Sequence, residues 1–253
     1  MLIDTHCHIN FPDKFPDVEQ TIADARSVGV DRMMAVGCDP ETSRAAVALA
    51  DRYAEVYAIV GWHPTYTKDY VSGSLGEITE MLKHPKVVAM GEIGLDFHWD
   101  FSTPEEQMLA LSEQLDLAVR LDTPLVFHCR DAYPALLDVL EARPIRPYLF
   151  HCFAGSIDDA KRAMALDCYF GVDGPISYKN AKALKEVVRE VPLDRLVIET
   201  DSPYMPPEPF RGKSNQPAYV RYVNAALADS LGIDVEECSR ITTENAMRFF
   251  RML

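Results

Sequence analysis

The sequence predicts an α/β fold, a single-domain (β/α)8 barrel spanning residues 1–253 with an additional C-terminal helix. Eight short runs of apolar or β-branched residues each precede a helical pattern or a loop. No glycine-rich phosphate loop follows the first run, which weakens the alternative of an open doubly wound sheet. The predicted strands are Leu2–His6, Arg32–Gly37, Val56–Gly61, Val87–Glu92, Leu125–His128, Tyr148–His151, Tyr169–Val172 and Leu196–Thr200.

Helix-start signals support this alternation. Asp39 precedes Pro40, a capping residue followed by a proline at the first helical position. Thr103-Pro104-Glu105-Glu106 adds a capping box, and looser versions begin at Ser156 and Asp234. The last stretch, from about Asp234 to Leu253, is expected to form the extra helix. An outer barrel helix is predicted after Thr103 from apolar residues at helical spacing: Met108, Leu111, Leu115 and Val119.

Composition narrows the functional classes. The chain is 48% hydrophobic, enough to bury a core without disulfides, and no two of its six cysteines form a CxxC pair. We therefore expect free thiols, a cytoplasmic location and no membrane partner. The sequence does not determine the oligomeric state, for which a monomer is favoured. The net charge of −14 argues against extended duplex binding. The net charge does not exclude a nucleic acid bound at one end, because bound divalent ions make a pocket cationic inside an acidic protein.

The functional signal is positional, because nitrogen and oxygen ligands follow one predicted strand after another. Strand ends of a parallel barrel converge on one face, where barrel enzymes keep their active sites. The candidate metal ligands at these ends are His6, His8, Glu92, His128, His151 and Asp201.

The first strand carries two of these ligands, His6 and His8. Side chains two apart on a strand point the same way, so both imidazoles reach one ion, whereas Cys7 points into the surrounding core. The same argument assigns Cys129 and Cys152 to packing rather than to metal binding.

Six ligands exceed what one catalytic ion with an open position accepts. Two divalent ions, bridged by Glu92, account for them better. Nitrogen and carboxylate ligands suit Zn²⁺, Mn²⁺ or Fe²⁺, with Mg²⁺ also acceptable and Co²⁺ a further choice.

The ordered motifs resemble the TatD family of metal-dependent deoxyribonucleases, and they run from residue 2 to about residue 249. One stretch departs from the commonest family pattern, namely Phe97-His98-Trp99. This departure bears on substrate preference and not on the metal site. The motifs are Asp4-Thr5-His6-Cys7-His8, Gly61-Trp62-His63-Pro64, Gly91-Glu92-Ile93-Gly94-Leu95-Asp96, His128-Cys129-Arg130-Asp131-Ala132, His151-Cys152-Phe153, Glu199-Thr200-Asp201-Ser202-Pro203-Tyr204, Arg211-Gly212-Lys213-Ser214-Asn215-Gln216-Pro217 and Thr243-Glu244-Asn245-Ala246.

The resemblance implies a TIM-like barrel, two divalent metals and 3′-to-5′ exonuclease action, chiefly on the 3′ end of single-stranded DNA. The six candidate ligands match the family's ligand positions without gaps. In the expected mechanism a hydroxide bridging the two metals attacks phosphorus, Asp201 orients the water and takes its proton, and Glu92 bridges the metals.

Further residues receive supporting roles. His63 is expected to contact the scissile phosphate, with a strand-end cap as its alternative, and Arg211 and Lys213 to hold phosphate oxygens. Arg130 is a further phosphate ligand unless it pairs with Asp131 or Asp96. Glu199, Asp4 and Asp96 are assigned to support the ligands from behind. Aromatic residues in the loops, which either stack on bases or simply pack, are Tyr66, Phe97, Trp99 and Tyr204.

Two rival functions share these features. A hydrolase of another ester or amide, such as a D-aminoacyl-tRNA deacylase, would use the same metals, because fold and ligands do not choose the electrophile. A binding protein that retains a metal without turnover is the second rival, and the intact ligand set that includes Asp201 argues against it.

Overall fold

The parallel strands of the barrel follow one another in sequence order. The computed structural model describes residues 1–143, 145 and 147–252, and within them eight strands form a nearly closed (β/α)8 barrel, as predicted. The strands are β1 (Leu2–Cys7), β2 (Val30–Val36), β3 (Val56–Val60), β4 (Val87–Asp96), β5 (Leu125–Arg130), β6 (Tyr148–Phe150), β7 (Tyr169–Val172) and β8 (Leu196–Ile198).

Helices cover the outside of the barrel. The predicted starts at Asp39, Thr103, Ser156 and Asp234 are confirmed, since each side chain accepts backbone amides of its helix. Val119 is exposed, because it lies at the edge of the apolar stripe of its helix. The helices are α1 (Val18–Ser27), α2 (Pro40–Arg52), α3 (Gly76–Met81), α4 (Pro104–Leu121), α5 (Tyr133–Ala142), α6 (Ile157–Ala165), α7 (Lys182–Glu190), α8 (Val220–Leu231) and α9 (Val235–Phe249).

The predicted extra helix is α9, which ends at Phe249. Its Ala246 and Phe249 join a buried cluster with residues from the strands, among them Ile3, Met34 and Val126. The helix therefore adds apolar side chains to the barrel core. Leu253, the end of the predicted helix, lies outside the described residues.

β4 is longer than the sequence indicated, because it continues to Asp96 instead of ending at Glu92. Its pairing with β5 shifts register between Met90 and Ile93, at the level of Glu92. Gly94 has a φ of 141°, and a Cβ there would lie 1.9 Å from the His128 carbonyl oxygen. Only glycine permits this approach, which holds β4 beside β5 at the level of the candidate ligands.

The barrel closes between β1 and the end of β8 with few main-chain bonds. The amide of Asp201 donates to the carbonyl of His6 at 2.9 Å, and that of His8 donates to Ser202 at 2.7 Å. The buried carboxyl of Asp4 bonds both the amide (2.8 Å) and the hydroxyl (2.6 Å) of Thr200. These contacts fix the first and last strands relative to each other and so place His6, His8 and Asp201 together.

Cysteine packing differs from the prediction at one position. Cys7 and Cys129 are buried in the core, whereas Cys152 is partly exposed, and its thiol lies 3.1 Å from Asp173 Oδ2. Cys152 has a φ of +44°, which departs from the strand geometry that the alternation argument assumed. Among the described residues, no helix is long and apolar enough to cross a membrane.

Candidate metal centre

Glu92 lies at the middle of a group of histidines at the C-terminal mouth of the barrel. Its Oε2 is 3.2 Å from His6 Nε2 and 3.9 Å from His8 Nε2. Its Oε1 is 2.6 Å from His151 Nε2 and 2.9 Å from His128 Nδ1. The two carboxylate oxygens therefore face two different pairs of imidazoles.

Asp201 and His63 complete this group. Asp201 Oδ1 lies 3.5 Å from His8 Nε2 and 3.8 Å from His6 Nε2, and His63 Nε2 lies 3.5 Å from Glu92 Oε1. We call the whole set the cluster; its members are His6, His8, His63, Glu92, His128, His151 and Asp201.

The electrostatics of the cluster keep its carboxylates charged. Burial raises the pKa of Glu92, but the charges of His151, His6 and His63 and the hydrogen bond with His128 together outweigh burial and hold it well below the usual range. The pKa of Asp201 is also lowered: burial raises it, but the hydrogen bond from His8 and the charges of His151, His6 and His8 together outweigh burial. Burial lowers the pKa of His63 to about 4, so its ring is neutral at neutral pH.

These side chains fit a divalent cation. Both ring nitrogens of His6 are buried and make no hydrogen bond within the described residues. The nearest acceptor is Glu92 Oε2, 3.2 Å from Nε2, and a metal between the two groups would supply the partner that a buried imidazole nitrogen needs. Groups whose ligand atoms lie within 4.8 Å of one another are His6 with His8 and Glu92, His63 with Glu92 and His128, and His6 with His151 and Glu199.

Carboxylates and carbonyls hold the far side of several imidazoles. His128 Nε2 lies 2.8 Å from Asp96 Oδ2, which leaves Nδ1 to face the cluster. His151 Nδ1 lies 3.4 Å from Glu199 Oε1, and His8 Nδ1 lies 3.1 Å from the Val36 carbonyl. Such partners orient metal-binding histidines and select their tautomers.

The three acids predicted to support the ligands differ in whether they contact an imidazole. Asp96 contacts His128, and Glu199 approaches His151. Asp4 does not approach an imidazole with its carboxyl, because that group is bonded to Thr200. Its contribution is to join β1 to the chain that carries Asp201.

His63 lies closer to the candidate metal ligands than contact with a phosphate alone would require. Its Nδ1 accepts the amide of Thr65 at 3.1 Å and so caps a 3-10 helix (Pro64–Asp69). In a neutral ring this leaves the proton on Nε2, the nitrogen that faces Glu92.

The basic candidates lie over aromatic rings. The Arg211 guanidinium is 4.5 Å from the centre of the Tyr178 ring, Lys213 Nζ is 5.9 Å from that of Phe210, and the Arg130 guanidinium is 5.5 Å from that of Trp99. The alternative partners of Arg130 are engaged elsewhere, since Asp96 binds His128 and Asp131 binds His98 at 3.0 Å.

Tyr204, the remaining substrate candidate, is exposed at the mouth of the barrel. Its ring centre lies 6.0 Å from that of His8. All four candidates therefore lie outside the cluster: Arg130 is the last residue of β5, and Arg211, Lys213 and Tyr204 lie in the loop after β8.

The sequence reasoning missed Cys38 and Asp173. Asp173 is buried directly after β7, and burial raises its pKa to about 8. Cys38 is buried two residues after the end of β2. Both residues follow a strand, so the positional rule that selected the histidines would have found them.

Comparisons with known proteins identify the family to which the chain is related. The family described as TatD related DNase matches residues 3–251. The chain is 41% identical over 254 residues, all of both chains, to the uncharacterized metal-dependent hydrolase YabD of Bacillus subtilis. It is 35% identical to the 3′-5′ ssDNA/RNA exonuclease TatD of Cronobacter turicensis, over 92% of each chain.

A solved structure extends the agreement to three dimensions. The crystal structure of YjjV, a TatD homologue from Escherichia coli K12, superposes with a TM-score of 0.93 at 34% identity and covers 99% of this chain and 98% of that one. With the family match over nearly the whole sequence, the chain belongs to the TatD family of metal-dependent hydrolases.

Proposed function

We propose that this protein is a metal-dependent phosphodiesterase that removes nucleotides from the 3′ end of single-stranded DNA. The observation that carries the proposal is the position of Glu92, whose two oxygens face separate imidazole pairs. A carboxylate between two groups of ligands suits a pair of divalent ions, the arrangement that many phosphodiester hydrolases use. The relative from Cronobacter turicensis named as a 3′-5′ ssDNA/RNA exonuclease supports the choice of substrate.

Two sets of ligands would hold the metals. His6, His8 and Asp201 would bind one ion, His128 and His151 the other, and Glu92 would bridge them. When bound, such ions supply Lewis acidity for the phosphoryl oxygens and lower the pKa of a bound water to about 7.

The protein's own groups position the substrate and move the proton. Asp201 is a carboxylate 14% exposed at the mouth, so it would orient the attacking water and accept its proton. The neutral His63 would donate from Nε2 to a non-bridging phosphate oxygen. Arg211 and Lys213 would hold the neighbouring phosphate, since both lie in the loop after β8.

A substrate screen tests this function. Purified protein would be incubated with 3′- and 5′-labelled single strands under Mg²⁺, Mn²⁺, Co²⁺ and Zn²⁺. We expect stepwise shortening from the 3′ end, slower attack on duplex ends because fraying costs unpairing energy, and no cleavage of a circular strand. If the circular and the linear single strand were cleaved equally fast, the enzyme would be an endonuclease. Hydrolysis of a small ester or amide with no strand cut would replace the proposal with the rival hydrolase.

The number of ions has its own test. A crystal soaked with Mn²⁺ should show two anomalous peaks, both within ligand distance of Glu92. A single peak at saturating Mn²⁺, with His128 and His151 unbound, would contradict the bridged pair.

A further inference from the structure

We propose that the loop after β4, together with Arg130, is a platform on which an unpaired base of the nucleic acid stacks next to the metal centre. We call residues 97–101 the aromatic loop. The inference rests on the proposed function, since it assigns a subsite of the same nucleic acid substrate.

The aromatic loop presents three rings to solvent within five residues. Phe97 is 40% exposed, Trp99 46% and Phe101 61%. The rings of Trp99 and Phe101 are stacked, with centres 5.7 Å apart and planes inclined by 21°. Stacking with a base would remove this aromatic surface from water, and it suits any sequence because every base has a π-face.

Asp96 connects the aromatic loop directly to the metal centre. Its Oδ1 accepts the amides of His98 (2.9 Å) and Trp99 (3.1 Å), while its Oδ2 binds the candidate ligand His128 at 2.8 Å. The buried Gln107 bonds the amide of Asp96 at 2.8 Å and its carbonyl at 2.7 Å. The start of the loop is therefore held in place by the same group that orients His128.

This anchoring limits how far the platform lies from the chemistry. Trp99 is three residues from Asp96, and an extended chain spans at most about 3.6 Å per residue, so their Cα atoms lie within about 11 Å. A base stacked on Trp99 would therefore belong to a nucleotide beside the scissile phosphate rather than to a remote part of the strand.

Arg130 supplies a cation at the same place. Its guanidinium lies 5.5 Å from the centre of the Trp99 ring, and within residues 1–143, 145 and 147–252 no carboxylate forms a salt bridge with it. Asp131, the neighbouring acid, is paired with His98 at 3.0 Å. A ring next to an available guanidinium matches a nucleotide, which offers a base and a phosphate together.

The chemistry of stacking selects single strands. In a duplex both faces of an internal base are covered by its neighbours, so a protein ring gains access only after the base is unstacked. A terminal single-stranded nucleotide already has a free face. The platform therefore favours the same substrate as the proposed 3′ exonuclease, and it does so through bases rather than through backbone charge.

Tryptophan fluorescence gives a direct measurement. The chain has two tryptophans, and Trp62→Phe leaves Trp99 as the reporter. Mn²⁺-loaded protein would be titrated with an eight-nucleotide thymidine strand carrying hydrolysis-resistant phosphorothioate links, and with an equally long abasic strand. We expect saturable quenching of Trp99 by the thymidine strand, and at least fivefold weaker binding of the abasic strand.

A cycle of variants separates stacking from structural damage. In a labelled-strand binding assay, Trp99→Ala should weaken binding of the thymidine strand by about 5- to 150-fold, the range expected for one stacked base. The abasic strand should bind this variant and the wild type alike. Trp99→Phe should restore most of the affinity, and Val119→Ala, which removes an exposed apolar side chain on α4, serves as the matched control.

The outcomes distinguish the platform from the nuclease activity. Equal affinity of the wild type for the two strands would overturn the platform even if the enzyme cleaves DNA. Weaker binding of both strands by Trp99→Ala would also overturn it, because the ring would then act through the fold. Base-dependent affinity in a protein that cleaves no strand would support the platform and contradict the proposed nuclease.

Discussion

The imidazoles of His8, His128 and His151 each turn one nitrogen towards Glu92 or Asp201 and the other towards a different part of the fold. Asp201 differs from them because it is an acid on the chain after β8 with a left-handed φ of +52°. Aspartate tolerates this conformation better than most residues, and the carboxylate reaches the mouth from it. The position places a candidate metal ligand where water also has access.

Asp201→Asn should abolish hydrolysis and leave the fold and most metal binding intact. The amide keeps an oxygen for the metal but cannot accept a proton from water. Activity on a labelled single strand and metal content by atomic spectroscopy would be measured together. Activity within about tenfold of the wild type, little over 1.4 kcal/mol in the barrier, would remove Asp201 from the role of base.

Cys7→Ala should lower stability by about 1 kcal/mol, because removal of a buried sulfur leaves a small cavity. The thiol is fully buried and donates to the Met34 carbonyl at 3.3 Å, away from the cluster. Urea unfolding gives the stability and metal analysis the stoichiometry. Loss of an ion would show that Cys7 contributes to the metal site.

At the scale of elements, the site depends on how two pairs of strands meet. Gly94 lets β4 approach β5 closely, and Asp4 attaches β1 to Thr200 beyond β8. Burial raises the pKa of Asp4 from 3.8 to about 8, so its carboxyl is protonated at neutral pH in the folded protein. Closure of the barrel therefore uses a neutral acid next to a cluster whose own carboxylates are charged.

Asp4→Asn should keep the fold and flatten the pH dependence of stability. A folded-state pKa raised above the unfolded one gives stability that is complete below pH 3.8 and is lost as pH rises through about 8. The amide resembles the protonated acid and does not ionise. Urea unfolding of both proteins without metal, from pH 4.5 to pH 8, would compare the slopes. Identical slopes would contradict a raised pKa for Asp4.

At the scale of the molecule, the protein and its proposed substrate both carry a net negative charge. The chain carries 39 acidic residues against 25 basic ones. Its basic substrate candidates are confined to Arg130 and the loop with Arg211 and Lys213 at the mouth. A short contact with a strand end, rather than a long groove, is consistent with this distribution.

Oligonucleotide affinity should consequently depend only weakly on salt, because the slope of log affinity against log salt scales with the number of phosphate contacts, at about 0.7 per contact for single strands. Substituting Arg211 and Lys213 by alanine together should weaken binding and reduce this slope by about 1.4, with no loss of metal. Titrations from 50 to 300 mM salt would measure it. An unchanged slope would show that these cations do not touch phosphate.

The sequence by itself determined the order of strands and the residues that follow them, because alternation, capping residues and strand-end position are local signals. It therefore led to the barrel and to His6, His8, Glu92, His128, His151 and Asp201 as candidate ligands. The family motifs added the expected chemistry.

Only the tertiary structure decided which side chains meet. It placed Glu92 between two imidazole pairs, bonded Asp4 to Thr200, and connected Asp96 to both His128 and the aromatic loop. These pairs are separated by 32 to 196 positions along the chain, apart from the local contact of Asp96 with its own loop. Such contacts depend on register, twist and the shift in β4, which arise when the barrel packs and which no local pattern of residues encodes.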